Sequence, residues 1–98
     1  MIPLLFALLM CTGSMEPTLI GGDRIALTSE FNLTQGDIYV YGIPRGNQTH
    51  YVIHRLEQLN KTHAYFVGDG YRGGEWINTE LIKYRFVKVV EHKQGMCE

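Results

Sequence analysis

No stretch of this chain places an apolar residue about every 3.6 positions for long enough to build an amphipathic helix. What recurs instead are short β-branched and aromatic runs divided by Gly, Asn and Asp. Arg24–Thr28 (RIALT) follows Gly21-Gly22-Asp23, and Asp37–Tyr41 (DIYVY) follows Gln35-Gly36. Tyr51–Leu56 (YVIHRL) and His63–Val67 (HAYFV) flank a polar Asn60-Lys61 turn, and Tyr84–Glu91 (YRFVKVVE) alternates again. Within DIYVY, Ile38 and Val40 fall on one face of a strand and Tyr39 and Tyr41 on the other. Only Thr79–Lys83 reads as a helical turn, capped by Asn78 or Thr79. The chain is therefore expected to be mostly β, a small sandwich or partly closed barrel with short helical turns.

The 98 residues hold one core, since a second would need roughly another 100 residues. A net charge of −1 argues against a dedicated nucleic-acid binder, which needs Lys and Arg to neutralise phosphates. Residues 1–11, MIPLLFALLMC, carry no charge. As a helix they would reach about 16 Å, roughly half of a bilayer's hydrocarbon core, so they cannot span it alone. They read as a buried first strand or as a truncated membrane anchor. The two cysteines, Cys11 and Cys97, are too few for structural zinc. Nothing in the sequence brings them together, and two unpaired thiols are the favoured expectation. Three Asn-x-Thr triplets, at Asn32, Asn47 and Asn60, fall in expected loops and lend weak support to exposure outside the cytoplasm.

Chemistry concentrates in three places. Gly13-Ser14-Met15-Glu16-Pro17 sets a serine just after a glycine at the end of the apolar segment. Gly13 allows close approach, and Pro17 keeps Glu16 out of helical geometry. A serine hydroxyl needs an adjacent base to become a nucleophile. Of the four histidines, His54 lies within a strand on the face of Val52 and Leu56, where desolvation keeps an imidazole neutral near pH 7. A core histidine bonded to a backbone carbonyl is the competing reading. His50 and His54 cannot share zinc on a strand, being about 13 Å apart. The third place is Gly68–Trp76, a glycine-rich loop opening on Asp69 and holding Glu75 near its end. A carboxylate beside an imidazole fixes its tautomer; an ordinary turn carboxylate is the alternative.

In order, Gly13-Ser14-Met15-Glu16-Pro17-Thr18, Gly36-Asp37-Ile38-Tyr39-Val40, Val52-Ile53-His54-Arg55 and Gly68-Asp69 resemble the type I signal peptidase family, in its archaeal and endoplasmic-reticulum branch. The resemblance covers residues 11 to about 91. Bacterial members carry a catalytic lysine where His54 stands. The resemblance implies a signal-peptidase-type β fold, with residues 12–98 as the catalytic domain. It implies a serine endopeptidase that removes signal peptides from exported proteins. Ser14 would be the nucleophile and His54 the general base, with the Ser14 amide and the Thr12 hydroxyl forming the oxyanion hole. Asp69 matches the family's Gly-Asp carboxylate, and Glu75 replaces a second aspartate; Gly70 replaces the family's Asn. No metal or other cofactor is implied. Implied partners are signal peptides, the membrane surface on its extracytoplasmic or lumenal side, and other membrane subunits. Family members carry a full spanning helix before the first motif, where this chain has about ten apolar residues. The alternative from another class is a non-catalytic peptide-binding subunit on the same fold. A self-cleaving repressor protease fits less well, because that group uses lysine as its base.

Overall fold

The computed structural model describes residues 2–70, 73–92 and Cys97. Strands take 54 % of these residues, and no α-helix occurs among them. The strands are β1 (Leu5–Leu8), β2 (Arg24–Thr28), β3 (Ile38–Arg45), β4 (Gln48–Leu59), β5 (His63–Val67), β6 (Gly74–Asn78) and β7 (Ile82–Glu91). They form one antiparallel sheet in the order β1-β2-β7-β3-β4-β5-β6. The sheet is open, with β1 and β6 as its edges. The expected sandwich or partly closed barrel thus takes the form of a single continuous sheet.

β2 and β5 span the residues expected for them. β3 and β4 run further, because Gly46 (φ 61°) turns the chain in a two-residue connection and the ladder continues through Arg45↔Gln48. The helical turn is a single 3₁₀ turn, Thr79–Leu81, in which Asn78 Oδ1 accepts from the Glu80 amide at 2.9 Å. It stops at Leu81 because Ile82 is already extended in β7.

Three expectations need correction. Residues 74–76, read as the end of a glycine-rich loop, belong to β6, which pairs with β5 from His63↔Asn78 to Val67↔Gly74. Ile77 is its one buried residue, and the Trp76 ring meets Tyr65 at a tilt, with centroids 5.2 Å apart. A five-residue edge strand with one inward side chain leaves almost no alternation to detect. The N-terminal apolar segment does supply a first strand, but it is not buried: Leu5, Phe6 and Leu8 are exposed at the sheet edge, and only Ala7 turns toward the Ile25, Leu27 and Val40 cluster. The cysteines are not free thiols. Cys11 and Cys97 form a disulfide with Cα atoms 5.5 Å apart. Pairing of β7 with β2, as far as Arg24↔Glu91, returns the end of the chain to the turn before β2. A Cβ on Gly21 would lie 2.6 Å from Cys97 Sγ.

The largest buried cluster comprises Tyr39, Tyr41, Leu56, Ala64, Phe66, Ile77 and Ile82. Met15, Leu19 and Ile38 form another, and Ile25, Leu27 and Val40 a third; these two share Ile53, Phe86 and Val89 as packing partners. The segment between β1 and β2 is thereby fastened to the sheet. Beside it, buried Asp23 accepts from the Ile20 amide at 3.0 Å and pairs with His92 at 2.8 Å. Asn32, Asn47 and Asn60 are exposed outside the strands.

Candidate active site

Ser14 is placed by what surrounds it in sequence. Gly13 takes φ 73°, a left-handed conformation that disfavours other residues, and its carbonyl accepts from the Glu16 amide at 3.2 Å. Met15 and Leu19, each 1 % exposed, plunge into the core, and the Leu19 amide donates to Met15 O at 2.9 Å. The serine is therefore held on a short turn by its buried successor, with its own side chain half-buried. The Thr12 hydroxyl lies 3.2 Å from Ser14 Oγ and accepts from the Ser14 amide at 3.3 Å. Both expected oxyanion groups, Thr12 and the Ser14 amide, thus contact one another. The Glu16–Pro17 peptide bond is cis.

His54 sits in β4 directly across from Tyr39 of β3 and is 9 % exposed. Burial holds its pKa below the usual 6.5, against the upward pull first of Glu75 and then of Asp69. The ring is thus kept neutral near pH 7, as a general base requires. Nδ1 lies 3.1 Å from the buried Tyr41 hydroxyl. Nε2 faces Gly68: a Cβ there would lie 3.3 Å from Nε2 and 2.5 Å from the Ser14 carbonyl oxygen. The Gly70 amide donates to that same carbonyl at 3.0 Å, and a Cβ on Gly70 would fall 2.6 Å from Glu16 O. The main chain of residues 68–70 is laid directly on the serine turn, which only glycines at 68 and 70 permit.

The two carboxylates divide. Asp69 Oδ1 and Oδ2 accept from Arg55 Nε and Nη2 at 2.9 and 2.7 Å, and Oδ2 accepts from the Thr18 hydroxyl. Arg55 also donates to Gly36 O at 2.7 Å. The Arg55 hydrogen bonds hold Asp69 below the ordinary carboxylate range and raise the guanidinium pKa in return. Glu75 stands on β6 opposite Phe66 and lines the same cavity as His54 and Ser14. Of the two acids it exerts the larger pull on the imidazole.

Thr12, Ser14, His54 and Glu75 all line one cavity of about 650 Å³. Leu5 and Leu8 of the edge strand contribute to its wall, with Ile25, Val40, Ile53 and Tyr84 from the sheet and Arg45 and His50 from the β3–β4 hairpin. A concave apolar site with a few convergent polar groups is suited to a largely apolar ligand.

No protein-family model, curated protein or solved structure matches this chain.

The structure brings Ser14, Thr12, His54 and Glu75 to one cavity, whereas Asp69 is bound by Arg55 and Thr18 beside it. Sequence reasoning missed Tyr41 at Nδ1 and the close approaches at Gly68 and Gly70. Alternation in DIYVY grouped Tyr39 with Tyr41, but only the β3–β4 register sets them beside His54. Among the described residues, no group of three or more His, Cys, Asp or Glu could hold a metal ion, and no helix is long and apolar enough to cross a membrane.

Proposed function

We propose that the chain is a serine endopeptidase acting on extended peptides, with signal peptides of exported proteins as its substrates. One observation carries this reading: Ser14 and His54, 40 positions apart, line one cavity, and the Ser14 carbonyl and His54 Nε2 both approach Gly68. In the reaction, Ser14 Oγ turns from Thr12 toward the cavity and gives its proton to Nε2 of His54 as it attacks the scissile carbonyl. The Ser14 amide and the Thr12 hydroxyl then face the oxyanion, each stabilising it by about 3 kcal/mol. The imidazolium returns its proton to the leaving amine, and water, activated by the same imidazole, releases the acyl group from Ser14.

The surroundings fit a peptide of this kind. An edge strand borders the cavity and offers a ladder to which an extended segment can add. Its exposed Leu5, Phe6 and Leu8 suit attachment to a membrane surface. The Cys11–Cys97 disulfide and the exposed Asn-x-Thr triplets suit an extracytoplasmic or lumenal location, and further membrane subunits would complete the anchorage.

The bond between Ser14 Oγ and Thr12 favours a second reading, a subunit that binds peptides without cutting them. Incubation of the protein in detergent with a signal-bearing precursor separates the two. Cleavage that is lost in Ser14→Ala and His54→Ala variants of unchanged fold supports the peptidase; precursor binding without turnover supports the binding subunit. Cleavage retained by Ser14→Ala removes this serine from the mechanism.

A further inference from the structure

Tyr41 is wholly buried, and its ring is fixed from two sides. Phe66 packs against it at 4.6 Å with the rings tilted by 33°, and the His54 ring meets it edge-on at 6.1 Å. On β3 it stands two residues beyond Tyr39, the direct partner of His54, so it is the diagonal cross-strand neighbour of the imidazole on one face of the sheet. From there its hydroxyl reaches Nδ1 at 3.1 Å in a buried setting. This is the position a carboxylate occupies in a serine–histidine–acid triad. The acid expected to fill it, Asp69, has both oxygens taken by Arg55.

A neutral imidazole carries one N–H, and the bond at one nitrogen decides what the other can do. If the phenol donates to Nδ1, the ring proton lies on Nε2, and the nitrogen facing Gly68 cannot accept a proton. If Nδ1–H donates to the phenol oxygen, Nε2 presents its lone pair toward the serine turn. We infer that Tyr41 is the positioning residue of His54, its hydroxyl oxygen accepting from Nδ1–H and so keeping the lone pair on Nε2. This rests on the reading of His54 as the base. Tyr41 acts only through the ring: it fixes rotation and tautomer and touches no substrate.

The test reads the ring directly. Nitrogen NMR of protein labelled with ¹⁵N-histidine, with His54 assigned by its absence in His54→Gln, should show the Nδ1-protonated tautomer in the unaltered protein near neutral pH. A Tyr41→Phe variant, checked for an unchanged fold by circular dichroism, should shift the ring toward the other tautomer. Labelling of Ser14 by a fluorophosphonate should fall roughly tenfold in that variant, the scale of one lost buried hydrogen bond. An Nε2-protonated ring in the unaltered protein overturns the inference, as does an unchanged tautomer in folded Tyr41→Phe. The expected tautomer in a protein that cuts no precursor and takes no label leaves the positioning intact and overturns the peptidase reading instead.

Discussion

Arg55 grips both carboxylate oxygens of Asp69, at 2.9 and 2.7 Å, one position along the chain from His54. Neighbours in a strand point to opposite faces, so Arg55 draws Asp69 to the side of β4 away from the ring. The pair ties the middle of the 68–70 segment to β4 while Gly36 O receives another arm of the guanidinium.

Removing that charge should weaken the fold rather than the chemistry alone. Asp69→Asn is expected to lose about 1 kcal/mol in urea unfolding, since the arginine side of the pair is partly solvated. The acid response gives a second reading. The folded-state pKa of Asp69 lies below its unfolded value, so the stabilisation is complete above the unfolded value and disappears as pH falls through the folded one. The stability lost on acidification below about pH 4 should therefore be smaller in the variant.

For His54 the sign is that of a buried base. Its folded pKa lies below the usual 6.5, so the neutral form prevails at pH 7 and precursor cleavage should be level there. The rate should fall only as pH drops beneath 6.5. A falling limb centred above 6.5 contradicts the burial of the ring as described.

Glu75 and Asp69 both raise the His54 pKa, Glu75 more strongly. Glu75→Gln should thus lower the titration midpoint of His54, followed by NMR, and Asp69→Asn should lower it less. The reverse ranking would make Asp69 the electrostatic partner.

Gly68 tests how the site is spaced. A Cβ there meets Ser14 O at 2.5 Å, which only a main-chain shift can relieve. Gly68→Ala should lower the unfolding free energy by about 1–3 kcal/mol, as overpacking does, and slow the modification of Ser14. Full labelling at unchanged stability would show that the contact is slack.

The Cys11–Cys97 bond closes a separation of 86 residues and joins the chain three positions before Ser14. Reduction, or Cys97→Ser, should cost about 2–5 kcal/mol in thermal unfolding. Amide exchange should rise first in residues 9–23, the segment the disulfide helps hold.

Much of the sheet was legible because RIALT and HAYFV carry their strand character within five residues each. The outer halves of β3 and β4 were not, since Pro44, Arg45, Gln48 and Thr49 are exposed and extended only because they pair with one another. Ser14 and His54 stood out through local motifs. Their setting did not: Tyr41 against Nδ1 depends on strand register, Arg55 against Asp69 on the return of β5, and Cys97 against Cys11 on β7 lying beside β2. Each is a long-range pairing, and alternation along a strand fixes faces without fixing neighbours.

Gly68 lies against both the Ser14 carbonyl and the His54 ring nitrogen, so the gap between the serine turn and the imidazole is set in part by a stretch of main chain. Exchanges of core side chains leave it untouched, and a longer 68–70 connection would pry the two groups apart. Variation compatible with this arrangement belongs at the exposed Gly46-Asn47 tip, where a side chain on Gly46 would meet nothing within 4 Å.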